Sequence, residues 1–161
     1  MTKYFKVRAA TEKDLTQVSD LLAASYSELM IRFYDEVLLR DALPKITRAN
    51  PVLLTSGTYY LAQSKGGRII GCGGWTQERP GTGEIIPNFA HIRHFATHPD
   101  WIGEGVGKAI FDQCKIQALA KGIRNFECYS SLNAEGFYTA MGLRRVRQVD
   151  VDMGEGLKFP S

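Results

Sequence analysis

The chain has 161 residues, 44% of them hydrophobic and 11% aromatic, which is the length of one domain with enough apolar mass for a sizeable core. Twenty Lys and Arg against 17 Asp and Glu leave a net charge of +3, spread along the chain except for Arg144-Arg145-x-Arg147, too little for a nucleic-acid footprint. No run approaches the roughly 18 apolar residues of a membrane span and no apolar leader opens the chain, so a soluble, unprocessed, cytoplasmic protein is expected.

Phe5-Lys6-Val7-Arg8-Ala9 alternates like a strand. Thr11-Glu12-Lys13-Asp14 then resembles a capping box opening a helix with Leu15, Val18 and Leu22 on one face. Ser27 to Leu43 has helical composition and is expected to stop at Pro44; Asn50-Pro51 and Ser56-Gly57 mark a further boundary, giving two helices or one broken one. Thr58–Gln63 and Arg68–Trp75, joined through Lys65-Gly66-Gly67, read as a hairpin, in which Gly71, Gly73 and Gly74 suggest a bulge or a close backbone approach.

A polar loop, Gln77 to Asn88, leads into a third β-like run, Phe89 to Thr97, which ends before Pro99. Gly103 to Lys121 reads as an amphipathic helix: Val106, Ile110, Cys114 and Ala118 recur at i, i+4, Glu104, Lys108, Asp112 and Lys115 face away, and Gly122 stands at the end. Phe126–Ser130 is then a strand, Asn133–Met141 a helix stopped by Gly142, and Val146–Met153 a strand followed by a Gly154-Glu155-Gly156 turn. Leu157–Ser161 is short for a closing strand and contains Pro160; an edge completed by a partner subunit, and hence a homodimer, is one assembly this allows. Hairpins mixed with strand-helix-strand units predict an α/β (α+β) class, a mixed sheet flanked by helices in a single domain over residues 1–161.

Cys72, Cys114 and Cys128 are odd in number, widely spaced and free of any Cys-x-x-Cys pair, so they read as reduced core residues with no metal. The chemistry lies in Ile102-Gly103-Glu104-Gly105-Val106-Gly107-Lys108, glycines at alternate positions between a strand end and a helix start. Without Cβ atoms such a loop lets phosphate oxygens reach the main chain, where a helix N-terminus adds unpaired N–H groups and about half a unit of positive dipole charge. A Walker loop would need glycine at Ile102 and Ser or Thr at Ala109; a dinucleotide fingerprint would need its third glycine at Lys108; neither fits.

The loop resembles the CoA-binding motif of the GNAT N-acetyltransferase superfamily, Gln/Arg-x-x-Gly-x-Gly/Ala, with Gly105 and Gly107 as the small residues, Ile102 in place of Gln or Arg, and Lys108 as a cation that could compensate. Val7-Arg8-x-Ala-Thr11-x-x-Asp14 is similar to the family's first strand and helix, and Ile70-Gly71-x-Gly73-Gly74-Trp75 to its central hairpin. Asn133-Ala134-Glu135-Gly136-Phe137-Tyr138 followed by Gly142-Leu143 is similar to its Asn-x-x-Ala/Gly-x-x-Phe-Tyr region, slightly compressed. The resemblance implies a twisted, mostly antiparallel sheet of six or seven strands, splayed at the acetyl-CoA site.

It further implies acetyl-CoA as cosubstrate held by residues 102–108, main-chain contacts from Phe95, Ala96 and Thr97, Asn133 on the pantetheine or phosphate arm, and Tyr138 as the acid for the leaving thiolate. Histidine at 91 stands where several members carry a catalytic glutamate and is the first candidate for general base, with Glu84 and Glu78 competing. The acceptor would be a small-molecule or peptide amine, with no nucleic acid or membrane involved; a non-catalytic acyl-CoA-binding module is the rival. Plainer readings stand beside these: Tyr138 as core, Asn133 as a helix N-cap, and His91, Arg93 and His94 on a solvent face.

Overall fold

Strand β1 (Phe5–Ala9) leads through one 3₁₀ turn, Glu12–Asp14, into helix α1 (Leu15–Leu29) in the computed structural model, which describes residues 3–153 and 157–161. The expected Gly154-Glu155-Gly156 turn lies outside the described residues. Asp14 organises this entry. Its carboxylate accepts from the Thr11 amide (2.8 Å) and from Arg8 through two nitrogens (3.0 and 2.8 Å), so the cap and the strand share one buried acid. The buried face of α1 is Val18, Leu21, Leu22 and Ser25; Leu15 projects from the first turn and is 40% exposed, off the face on which it was expected.

Helix α2 (Glu36–Ile46) runs through Pro44 instead of stopping there. A proline this close to the C-terminus removes one hydrogen bond, to the exposed Arg40, and the end is held by the Thr47 amide (3.0 Å) and hydroxyl (2.7 Å), both donating to the Leu43 carbonyl. A single turn, α3 (Pro51–Leu54), has Asn50 as its N-cap, the side chain accepting from the Val52 amide at 3.0 Å.

The sheet has the order β1-β2-β3-β4-β5, with β2 (Tyr59–Ser64), β3 (Ile69–Thr76) and β4 (Phe89–Thr97) antiparallel in succession and β5 (Asn125–Glu127) parallel to β4. Both faces are covered. Tyr59, Leu61 and Cys72 pack with Val18 and Leu22 of α1, whereas Tyr60, Ala62 and Ile70 pack with Val106, Ile110 and Cys114 of α4 (Val106–Ala120). This is why β2 and β3 read as near-continuous apolar runs. The hairpin glycines are close approaches: a Cβ on Gly71 would overlap the Val106 side chain, and one on Gly74 the Thr58 carbonyl.

Among the described residues, seven strands are divided five and two. β6 (Asp150–Asp152) and β7 (Lys158–Pro160) form their own antiparallel ribbon rather than extending the sheet. Leu157–Ser161, expected to be incomplete or completed by a partner, therefore forms a strand within the chain. Its anchor is Phe159, 3% exposed, stacked on Tyr34 at 4.3 Å between ring centres, while the Tyr34 hydroxyl donates to the Pro160 carbonyl at 2.6 Å. Among the described residues, no helix is long and apolar enough to cross a membrane.

Candidate active site

The β4–β5 ladder has three pairs, Phe89↔Asn125, Ala90↔Phe126 and His91↔Glu127, and β4 then continues to Thr97 without a partner on that edge. The sheet opens immediately beyond His91. On the other edge the β3–β4 register slips: Cys72 faces Ala96 but Gly74 faces Arg93, so Gly73 stands opposite a two-residue bulge, His94 and Phe95. His94 has φ +46°, a left-handed conformation that costs a non-glycine residue about 1 kcal/mol. A Cβ on Gly73 would come within 2.6 Å of the Phe95 ring.

The glycine loop follows the end of β4 and leads into α4. Gly103 and Gly105 have φ of +80° and +81°, with nothing within 4 Å of an added Cβ, so their demand is conformational. Gly105 caps α4 without a side chain; the Glu104 amide is taken by the Trp101 carbonyl at 3.3 Å, and the first helical bond is from Ala109 to Gly105. The amides of Val106, Gly107 and Lys108 thus have no backbone acceptor among the described residues. Ile102 is 54% exposed, and Lys108 is paired with Asp112 at 2.8 Å on the open surface.

Gly107 also serves packing. A Cβ there would lie 2.7 Å from the Phe137 ring, which belongs to α5 (Glu135–Ala140). Gly107→Ala should therefore shift Phe137, lower stability by about 1–3 kcal/mol in urea unfolding, and be partly relieved by a second change, Phe137→Leu.

Leucine132 to Ala134 form a 3₁₀ turn before α5. Asn133 lies inside that turn, with Ser131 and Ala134 at the cap positions, so the N-cap role is not taken; its Oδ1 is buried with no hydrogen-bond partner. Tyr138, 8% exposed, packs with Ile92 and Phe111 on the α4 face of the sheet, its ring centre 6.1 Å from Phe95 and 5.1 Å from Phe137. Burial holds its phenol well above the usual pKa, with Cys128 beside it, and burial pushes the Cys128 thiol up to about 12; both groups are neutral at pH 7.

Odd and even residues of β4 before the bulge face opposite sides, so His91, one position from Ile92, lies on the α1 face. It is 1% exposed. Its Nδ1 is 3.7 Å from Glu127 Oε1, an electrostatic contact rather than a hydrogen bond, and its Nε2 is buried without a partner. Burial is the main cause holding the imidazole pKa below 6.5, opposed by Glu127 and reinforced by Arg79 and Arg93. Arg79 bridges Glu127 (3.2 Å) and Glu84 (3.1 Å). Glu84 is thus an exposed, paired carboxylate, and Glu78 lies exposed in the same loop.

Glu127 was not singled out in the sequence; a lone acid between Phe126 and Cys128 was the available signal. Its strand also borders a cavity of about 710 Å³ along the outer edge of β5, lined by Glu127, Cys128, Tyr138, Arg124, Arg144 and Arg147 among others. Of the main-chain candidates, Phe95 lies in the bulge, Ala96 is core at 7% exposure, and Thr97 closes β4 opposite Gly71.

The model of the acetyltransferase (GNAT) domain family matches residues 23–159, so the chain belongs to the GNAT acetyltransferase family, and the general class of its chemistry is acetyl transfer. Among solved structures it is similar to the PaiA N-acetyltransferase of Thermoplasma acidophilum in complex with coenzyme A, at 18% identity and TM-score 0.70, covering 98% of this chain and 96% of that one. A GCN5-related N-acetyltransferase of Rhodopseudomonas palustris gives 20% identity and TM-score 0.70, with 99% and 92% covered. A GNAT acetyltransferase of Brucella melitensis in complex with acetyl-CoA gives 13% identity and TM-score 0.58, with 89% and 84% covered. No curated protein matches the sequence.

Proposed function

We propose that the chain transfers an acetyl group from acetyl-CoA to a primary amine by direct attack in a ternary complex, with Tyr138 as general acid and His91 as general base. The carrying observation is the parting of β4 from β5 directly beyond the His91–Glu127 pair, with Tyr138 packed on one face of β4 and His91 on the other. A thioester lying in that opening has a proton donor on one side and a proton acceptor on the other.

The cosubstrate is acetyl-CoA, which supplies an activated acyl carbon and a thiolate leaving group. The residues present fit it. Three unpaired amides at the start of α4 and the left-handed Gly103 and Gly105 suit a pyrophosphate, and the orphaned Asn133 Oδ1, an acceptor only, suits an amide N–H of the pantetheine arm. The Lys108–Asp112 pair is exposed, so releasing Lys108 toward a phosphate costs under about 1 kcal/mol.

An amine attacks only as the free base, yet an aliphatic ammonium has a pKa near 10.4 and needs a proton acceptor at pH 7. His91 is neutral there, and with Nδ1–H turned to Glu127 its Nε2 has the free lone pair. Because His91 is 1% exposed, the proton reaches it through a water. Main-chain N–H groups of the bulge stabilise the oxyanion, and Tyr138 donates to the departing sulfur. Buried, unpaired Cys72 and Cys114 have high pKa values, which argues against a thiolate nucleophile and suits a cytoplasmic, reducing setting. Arg93, two residues from His91 on the same side, suits an acceptor that bears a carboxylate or phosphate.

The test is thiol release from acetyl-CoA against a panel of primary amines. Turnover dependent on one amine class supports enzymatic transfer, whereas saturable coenzyme A binding without turnover on any amine moves the assignment to a binding module.

A further inference from the structure

We infer that Tyr26 and Tyr59 are positioning residues of the transfer site: from two separate elements, their hydroxyls pin the two consecutive carbonyls of the β4 bulge. The inference rests on the acetyl-transfer reading above.

The bulge is strained and lacks the usual restraint. His94 adopts φ +46°, the β3 register skips both bulge residues, and β5 has already parted from β4. A peptide unit with no ladder partner on either side can rotate about its flanking bonds at little cost. Here both carbonyls are held. Tyr59 Oη, from β2, donates to the His94 carbonyl at 2.8 Å, which also lies 3.5 Å from Cys72 Sγ; Tyr26 Oη, from α1, donates to the Phe95 carbonyl at 3.1 Å.

In a trans peptide the C=O and the next N–H point opposite ways. Pinning the His94 carbonyl with Tyr59 therefore fixes where the Phe95 N–H aims; the Ala96 N–H is turned to Cys72 Sγ, and Tyr26 occupies the Phe95 carbonyl oxygen, which would otherwise repel an acyl carbonyl. Burial raises both phenol pKa values, so both remain O–H donors across the working pH range. Neither phenol is assigned to the reacting atoms. Their part is to keep preorganised amides from turning, which matters because oxyanion donors act only when already aimed.

Tyr26→Phe and Tyr59→Phe remove one hydroxyl each and keep the ring; Tyr60→Phe, on the neighbouring residue but facing α4, removes a buried hydroxyl remote from the bulge. Two quantities separate aim from stability: kcat for thiol release, and the infrared carbonyl band of ¹³C-labelled acetyl-CoA bound without amine. Wild type and Tyr60→Phe should show a band shifted to lower frequency from its position in water. The two bulge variants should lose most of that shift and about tenfold in kcat, with the Kd for coenzyme A unchanged within twofold. Should Tyr59→Phe fail to fold, Tyr26→Phe, on the surface helix, serves alone. A lowered Tm with kcat and band both as in wild type overturns the inference while leaving the transfer reading intact. Absence of turnover and of a shifted band in wild type overturns both.

Discussion

Tyr138→Phe should lower kcat for acetyl transfer about a hundredfold, with the KM for acetyl-CoA little changed. The ring is core: it packs with Ile92 and Phe111 and meets Phe95 and Phe137 edge-on, and phenylalanine keeps all of that. Only the hydroxyl is lost, so the fold and the unpaired amides at the α4 N-terminus persist. A thiolate leaving into a buried site would lack water to stabilise it, and under the proposed mechanism the neutral Tyr138 phenol is its donor. Burial raises the phenol pKa and also pushes the neighbouring Cys128 thiol up to about 12, so a thiol leaving group buried there would be raised together with its donor. A hundredfold corresponds to about 2.7 kcal/mol of transition-state stabilisation, within the range of one general acid. Acetyl thioesters of more acidic thiols should show a smaller loss, since their thiolates need less help. Equal rates for the variant and wild type would leave Tyr138 as packing only.

Much of this site was legible because local sequence dictates it. Alternate glycines before an amphipathic run give left-handed Gly103 and Gly105 and a helix start with unpaired amides, whatever the rest of the chain does. Tyr138 and Asn133 came from the resemblance of residues 133–143 to the family's Asn-x-x-Ala/Gly-x-x-Phe-Tyr region. What escaped depends on partners distant in sequence. Glu127 meets His91 only through a parallel pairing across 36 positions, which no periodicity announces. Tyr26 and Tyr59 act on carbonyls, and main-chain targets leave no pattern in the side chains around them.

Gly107 carries a further demand that its spacing does not announce, because its smallness also answers the Phe137 ring on a helix 30 positions away. Pro44 and the β6–β7 ribbon follow the same rule. Whether a helix tolerates a proline in its last turn depends on what its freed carbonyl meets, and whether Leu157–Ser161 forms a strand depends on a slot for Phe159 beside Tyr34.

His91→Ala should lower kcat/KM about a hundredfold or more near pH 7, and the pH profile shows whether His91 is the base. Its folded pKa is depressed below 6.5 chiefly by burial, with Arg79 and Arg93 adding to the fall and Glu127 and Glu84 opposing it. The imidazole therefore stays neutral to a lower pH than in the unfolded chain, and the base function is lost as pH falls through that lowered value. Stability changes in the same direction, since below about pH 6.5 the unfolded chain binds a proton that the folded one resists. Wild type should thus show an acid limb below 6.5 that His91→Ala abolishes. Glu127→Gln removes the nearest group favouring the charged form, so its limb should move to lower pH, with a reduced plateau because Nδ1–H loses its orienting carboxylate. Were Glu127 itself the base, the same change would erase the limb while His91→Gln kept it. Glu84→Gln and Glu78→Gln, exposed in the loop before β4, should alter neither limb nor plateau beyond twofold. A loss confined to Glu84→Gln would shift the base into that loop, so the profiles of the five variants decide among the carboxylates and the imidazole from a single assay.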